Sequence, residues 1–361
     1  SSEILIMAST LNKFFRTAKI ITGLVRGENS HLRKLVHSNE SYPGLNNEST
    51  PMRVFYPKNS TEYTLIIYPG ASPSAEEHPT MNLLAKALSN AGYLVFLPRI
   101  PPLKKLIISS EIASWMGHFF QWLQTRENVH KDKIIVIGIS FGGAMVLKAS
   151  LRNEFQKHPP KSMLAYGTYF DVETALRFLL TGKLEVNGVE RIVQADEWGL
   201  IVLFHNYLSR VDVGYDTITT QKILKLCVQE DQEGINTELE KISEKDKELI
   251  THILKGEISS EIERIIYLFW KNLQDEFISI SPKYWCDQVT QKVFVMHGAN
   301  DAMSPYTESI KLADGLADSR LLISYMYEHG ERATHRGIFF QIKELLKIFF
   351  FLFEFIQYNE R

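Results

Sequence analysis

Cysteine is nearly missing from this chain of 361 residues, which has only Cys227 and Cys286, far apart and in no metal-ligand or redox spacing. No disulfide framework follows, and buried thiols in a reduced compartment are expected. An excess of charge of one sign is missing too: the formal net charge is −2, which gives no global electrostatic reason to expect a nucleic-acid partner. Long apolar runs are absent. The longest near the C-terminus, Ile348–Phe353, falls far short of the roughly 20 residues that cross a bilayer. Ser1 to Met7 lacks the basic start and apolar length of a secretory signal, so a cytoplasmic setting is expected. No P-loop, no HExxH and no clustered carboxylate motif occurs. Phosphoryl transfer and metal-assisted hydrolysis are thereby disfavoured, and neither metal nor organic cofactor is expected. There is no internal repeat and no low-complexity segment.

What the chain does have is Val136 to Met145, VIGISFGGAM, an apolar run that breaks at Gly138-Ile139-Ser140-Phe141-Gly142 and continues into a helix-compatible segment. A serine between glycines at G-x-S-x-G spacing suits a strand-to-helix turn so tight that its neighbours must be small, which makes Gly138 and Gly142 the turn glycines. Such a turn pushes the hydroxyl outward. The following helix points its first free N–H groups at the same spot, where an anionic intermediate would form.

Around this motif, strands and helices alternate. Arg53–Tyr56 and Tyr63–Tyr68 read as paired strands across the polar turn 58–61. A helix near Pro79–Asn90, a strand at Tyr93–Leu97, a helix near Ser110–Arg126 and the strand before Ser140 follow. Later come strands at Ser162–Tyr166, Lys292–Met296 and Leu321–Met326, a helix near Tyr306–Leu316, and a terminal helix. Alternation of this kind predicts a mainly parallel central sheet with helices on both faces. The rhythm stops between about Val172 and Gln291. No proline occurs between Pro160 and Pro282, and apolar residues recur at helical spacing, as in Ile262, Ile265, Ile266, Phe269, Trp270 and Leu273. A helical insertion over the sheet is predicted, a lid in position.

Three units follow: residues 1–50 as a helical N-terminal extension, 51–171 with 289–361 as the core, and 172–288 as the lid. The extension is basic and amphipathic. Leu11, Phe14, Phe15, Ala18 and Ile21 lie at helical spacing, and Ser1 to Lys34 holds six Lys or Arg against two Glu. That pattern suits either a helix laid across the core with its charges in water or a peripheral contact with an anionic membrane surface. In the terminal helix, Phe339, Ile342, Leu346, Phe349 and Phe353 share one face and are expected to pack on the sheet, while Phe351 and Phe355 fall elsewhere; a dimer or membrane contact by this helix is the alternative.

A serine hydroxyl is a poor nucleophile at neutral pH and needs a base, with a carboxylate to orient that base. Two late strands run into HGANDAMSP at His297–Pro305 and into MYEHG at Met326–Gly330. With GISFGG at the turn and YPGAS at Tyr68–Ser72, their order resembles that of the α/β-hydrolase superfamily, in particular bacterial serine esterase-like members with a helical insertion. The resemblance spans most of Arg53 to Tyr358, and GTYFD at 167–171 and SPKYW at 281–285 look like the segments flanking such a lid. It implies Ser140 as nucleophile, Asp301 as acid and His329 as base, with Asp171 and His335 as alternatives. His297 is expected to be a structural hydrogen-bonding residue. The resemblance also implies an oxyanion hole from the backbone N–H groups of Ala71 and Phe141. Pro69-Gly70 stands where many relatives have His-Gly, and there is no HGGG run.

The activity so implied is hydrolysis of a small-molecule carboxylic ester through an acyl-enzyme. Phe178, Trp198, Phe204, Phe269 and Trp270 suit an apolar acyl or aryl pocket and equally suit packing. A peptidase or thioesterase on the same triad, and a non-catalytic binding protein on the same fold, are the alternatives. The oligomeric state is left open by the sequence.

Overall fold

A computed structural model describes residues 2–27, 32, 35–186, 188–328, 331–332 and 337–361. Its strands, in chain order, are β1 (Ser38–Pro43), β2 (Ser49–Phe55), β3 (Thr64–Tyr68), β4 (Leu94–Pro98), β5 (Ile134–Ile139), β6 (Met163–Tyr166), β7 (Lys183–Val186), β8 (Val189–Ile192), β9 (Val293–Gly298), β10 (Ser319–Ser324), β11 (Tyr327–Glu328) and β12 (Glu331–Arg332). Eight of them form one sheet in the order β1-β2-β4-β3-β5-β6-β9-β10. From β4 to β10 every neighbour pair is parallel, while β1–β2 and β2–β4 are antiparallel.

Burial on both faces explains why the central strands read as unbroken apolar runs: all residues of β3 and of β4 are buried. Alternate side chains go to opposite layers. Ile66, Tyr68, Val136 and Val295 face one core, and Leu65, Ile67, Ile137 and Phe294 face the other. The helices before the insertion are α1 (Ser2–Arg26), α2 (Pro79–Asn90), α3 (Pro101–Lys104), α4 (Ile112–Leu123), α5 (Phe141–Ser150) and α6 (Asn153–Gln156). The insertion holds α7 (Val172–Thr181), α8 (Glu197–Tyr207), α9 (Thr217–Val228), α10 (Gln232–Leu239), α11 (Glu244–Lys255), α12 (Ser260–Asn272) and α13 (Gln274–Ile280). After it come α14 (Tyr306–Gly315) and α15 (Ile338–Asn359). Residues of α1, α2 and α15 cover one face of the sheet; those of α4, α5 and α14 cover the other.

Four expectations are corrected. Residues 1–50 are not helical throughout, because Ser38–Pro43 forms the edge strand, in register with β2 through Tyr42↔Thr50. The two strands flanking the turn at 58–61 are not partners: β2 pairs with β1 and β4, and β3 with β4 and β5. Within the insertion, β7 and β8 form an antiparallel hairpin among the helices. In α15 the buried face is the other one. Phe351, Phe355 and Ile356 enter the core against Phe294, whereas Phe339, Ile342 and Leu346 face outward and Phe349 and Phe353 meet Phe14 of α1. A helix apolar nearly all round has no periodicity strong enough to select its buried side.

The insertion does pack by helical stripes. Phe204 meets Phe269 with ring centroids 5.3 Å apart, and Tyr207 meets Phe277 at 5.1 Å. Its two ends are stitched together where they leave and rejoin the sheet. Lys283 N donates to Phe170 O at 2.9 Å, Val172 N to Ser281 Oγ at 3.0 Å and Tyr169 Oη to Ile280 O at 2.7 Å. The segments GTYFD and SPKYW therefore form one root.

Candidate active site

Crowding dictates the backbone around Ser140. A Cβ added to Gly142 would lie 2.1 Å from Pro69 O, and one on Gly138 would lie 2.8 Å from Gly142 O and from Gly143 Cα. Only glycine fits either place. Ser140 itself takes φ 51° and ψ −126°, a left-handed conformation that costs a non-glycine residue about 1–3 kcal/mol. Neighbours hold it there: Ser140 N donates to Tyr166 O at 2.7 Å and Gly143 N to Ser140 O at 2.9 Å. Although Ser140 is the residue preceding α5, its hydroxyl is not spent on capping that helix, and the residue is half-buried rather than enclosed.

Strand order reverses at this point. From β3 the chain passes to β4 on one side, and from β5 to β6 on the other, which is where open α/β sheets commonly place a ligand. Gly70, in the loop after β3, is so close that an added Cβ would lie 3.2 Å from Ser140 Cβ and 3.1 Å from Ile139 O. Ala71, the next residue, donates its N–H to no backbone carbonyl among the described residues. Phe141 occupies the first position of α5, where a helix supplies no acceptor for the N–H. The two backbone donors expected for an oxyanion thus belong to the loop after β3 and to the first residue of α5, which approach each other where Gly70 meets Ser140.

Asp301 lies in the loop after β9, two strands along from β5. One carboxylate oxygen, Oδ1, accepts from Met303 N at 2.8 Å and Ser304 N at 3.0 Å. The other, Oδ2, lies 3.3 Å from His297 Nε2 and faces Gly167 at the end of β6, where an added Cβ would be 3.5 Å away. Gly167 is the residue after Tyr166, whose carbonyl holds Ser140 N. The acid loop and the serine turn are therefore separated by one strand end. His297 is fully buried; its Nδ1 meets Ser309 Oγ at 2.7 Å and its Nε2 meets Ser304 O at 3.0 Å. It braces the loop that carries Asp301, which fits the structural role expected of it.

Asp171 is engaged elsewhere. Its Oδ1 caps α7 by accepting from Glu173 N at 3.0 Å, and its Oδ2 pairs with Lys283 Nζ at 2.8 Å across the lid root. The Asp171 carboxylate beside it raises the Lys283 ammonium above its ordinary value. His329 and His335 lie outside the described residues. The strand leading toward them, β10, is the parallel neighbour of β9, with Ser324 opposite Gly298.

Two side chains near the site carry no sequence signal. Thr168 is fully buried against Gly143 of the serine turn, with an Oγ1 that has no partner among the described residues. Glu308 of α14 is buried and accepts from Phe170 N at 3.1 Å, Asp171 N at 2.9 Å and Thr174 Oγ1 at 2.6 Å, which fixes the lid root from the acid-loop side. The aromatics of the insertion divide. Phe178, Phe204 and Phe269 are fully buried in packing, whereas Trp198 and Trp270 are half-buried. Phe178 and Leu184 pack with Ala299 in the loop that carries Asp301, and Asp196 N donates to Ala302 O at 3.0 Å, so the insertion rests directly on that loop.

An eight-stranded sheet in this order, with only β2 running against the other strands and a strained serine at the end of β5, is the α/β-hydrolase fold. No family model matches the chain, and no curated protein does. Among solved structures it is similar to the Francisella virulence factor BioJ, with 15% identity over 92% of this chain and 88% of that one and a TM-score of 0.46. It is similar also to a 2,6-dihydroxy-pseudo-oxynicotine hydrolase, with 12% identity over 88% and 68% of the two chains and a TM-score of 0.45. A puromycin-hydrolyzing peptidase of Mycobacterium tuberculosis matches at 12% identity and a TM-score of 0.49. This chain spans 40% of that peptidase, against 91% of its own length. At such distances the fold assignment rests on strand order and the serine turn.

Proposed function

We propose that this protein is a serine hydrolase that cleaves a carboxylic ester through an acyl-enzyme. The observation that carries the reading is Ser140, a non-glycine residue held at positive φ between a buried strand and a helix N-terminus, with a hydroxyl that does not cap the helix. In this scheme His329, oriented by Asp301, takes the Ser140 proton as Oγ attacks the ester carbonyl. The carbonyl oxygen gains negative charge opposite Ala71 N–H and Phe141 N–H, a term usually near 10² to 10³ in rate per donor. Collapse expels the alcohol, which takes the proton from His329. Water, deprotonated by the same imidazole, then releases the acid and restores Ser140.

The geometry supports Asp301 over Asp171 as the acid, since Asp171 is committed to a helix cap and an ion pair. β10, the strand that precedes His329 in the chain, is the parallel neighbour of β9, the strand that precedes Asp301. Phe178 of the insertion packs beside Ala299 in the loop that carries Asp301, and an ester with an apolar acyl or aryl part is the substrate class this reading takes. A panel of p-nitrophenyl esters of increasing acyl length tests this. Wild type should hydrolyse at least one, and Ser140→Ala should lower turnover by orders of magnitude with the unfolding midpoint retained. Undiminished hydrolysis by Ser140→Ala would exclude the mechanism.

A further inference from the structure

Far from the serine, α1 and α15 pack side by side through aromatic rings and leave an apolar face uncovered among the described residues. Four phenylalanines form a ladder across the two helices: Phe15–Phe14 at 6.2 Å between centroids, Phe14–Phe349 at 4.7 Å and Phe349–Phe350 at 5.7 Å. The end rings are open to solvent, with Phe15 61% and Phe350 54% exposed. Met7 and Leu11 extend the face along α1, and Phe339, 86% exposed, and Leu346 extend it along α15. Contiguous apolar surface of this kind is rare on a soluble protein unless something covers it.

Charge selects what covers it. Glu344 is paired with Lys347, Glu354 with Arg320 and Glu360 with Arg16, so these carboxylates of α15 and of the residue that ends it are already neutralised. Lys19 of α1 and Lys343 of α15 are exposed, and neither pairs with a carboxylate among the described residues. An apolar aromatic face rimmed by unpaired ammonium groups matches a bilayer surface with anionic headgroups, where rings sink to the acyl boundary and lysines meet phosphate. A second copy of the chain would set the same unpaired lysines against each other. No helix among the described residues is long and apolar enough to cross a membrane, so the contact would be a surface one.

We propose that the outer face of α1 and α15 seats this protein on an anionic lipid bilayer, independently of what Ser140 does. Co-sedimentation with phosphatidylcholine vesicles and with equal mixtures of phosphatidylcholine and phosphatidylglycerol tests it. Wild type should bind the mixed vesicles more tightly. The double variant Phe15→Ser, Phe350→Ser should bind at least about tenfold more weakly, by loss of two buried rings. Lys19→Ala and Lys343→Ala should each weaken binding to the mixed vesicles by about fivefold and leave binding to phosphatidylcholine alone unchanged. All four positions are exposed, and an unchanged urea midpoint confirms that the fold is kept. The proposal is overturned if wild type binds neither vesicle, or if the phenylalanine variant binds as wild type does. It is equally overturned if sedimentation velocity shows a dimer that the phenylalanine variant dissociates, with no vesicle binding.

Discussion

Adding one methyl group at Gly142 should damage both the serine turn and the loop expected to complete the oxyanion site. The built Cβ falls 2.1 Å from Pro69 O and 3.0 Å from Pro69 C, both backbone atoms that no rotamer change removes. Carbon and oxygen approach no closer than about 3.3 Å in ordinary contacts, so Pro69 or the turn must shift by roughly 1 Å. Overpacking of this kind costs about 1–3 kcal/mol in stability. A displacement of roughly 1 Å at a reacting centre costs about 10² in rate, and here it moves Ala71 N–H away from Ser140. The control is Gly298→Ala, at the end of β9, where an added Cβ meets nothing within 4 Å among the described residues and φ is not left-handed. Urea titration and initial rates on the best p-nitrophenyl ester read both effects. Gly142→Ala should be destabilised and about 100-fold slower, and Gly298→Ala close to wild type. Equal rates and midpoints for Gly142→Ala and wild type would refute the contact between the two loops.

Three further outcomes follow from packing and charge. Phe351→Ala should cost about 3–5 kcal/mol, because Phe351 is buried against Phe294, while its exposed neighbour Phe350→Ala should cost less than about 0.5 kcal/mol; reversed denaturation midpoints would contradict the orientation of α15. Arg99 Nε donates to both oxygens of the buried Glu76 carboxylate at 3.0 Å, so Arg99→Met should lose about 2 kcal/mol, a low value for a buried pair because the guanidinium is partly in water. Adding Glu76→Gln should recover part of that loss in the same titration. Burial holds the His205 imidazole below its ordinary value, aided by Lys225 and opposed by the Lys105 carbonyl. The unfolded chain then takes up the proton first as pH falls below about 6.5, so His205 lowers stability on acidification and contributes nothing above that value. His205→Gln should show a shallower fall in urea midpoint between about pH 7 and about pH 5 than wild type.

The parallel strands were legible because burial on both faces leaves an unbroken apolar signature, as in Leu94-Val-Phe-Leu-Pro98. The edge strand Ser38–Pro43 has no such signature. Of its six residues only Tyr42 is buried, and its place is set by hydrogen bonds to β2 that composition does not report. Partnership of strands was likewise hidden: a polar turn joins β2 to β3, yet β4 returns between them. In the lid, the Asn-Gly dipeptide at 187–188 was the available signal for the hairpin and was outweighed by the helical stripes around it. For the site, the serine turn was readable since G-x-S-x-G states a steric requirement, and the added-Cβ distances at Gly138 and Gly142 display that requirement. What spacing does not encode is the support around it. Glu308 accepts from Asp171 N, 137 residues away in the chain, and His297, only four residues before Asp301, braces it through a turn that the residue pattern does not specify.

The central claim is that Ser140 is a nucleophile. Reaction of the native protein with a fluorophosphonate, followed by peptide mass mapping, tests it most directly. The account predicts one adduct, on Ser140, that forms much more slowly when Asp301 is replaced by Asn. A folded protein that gains no adduct, or gains it on another serine, would contradict the account.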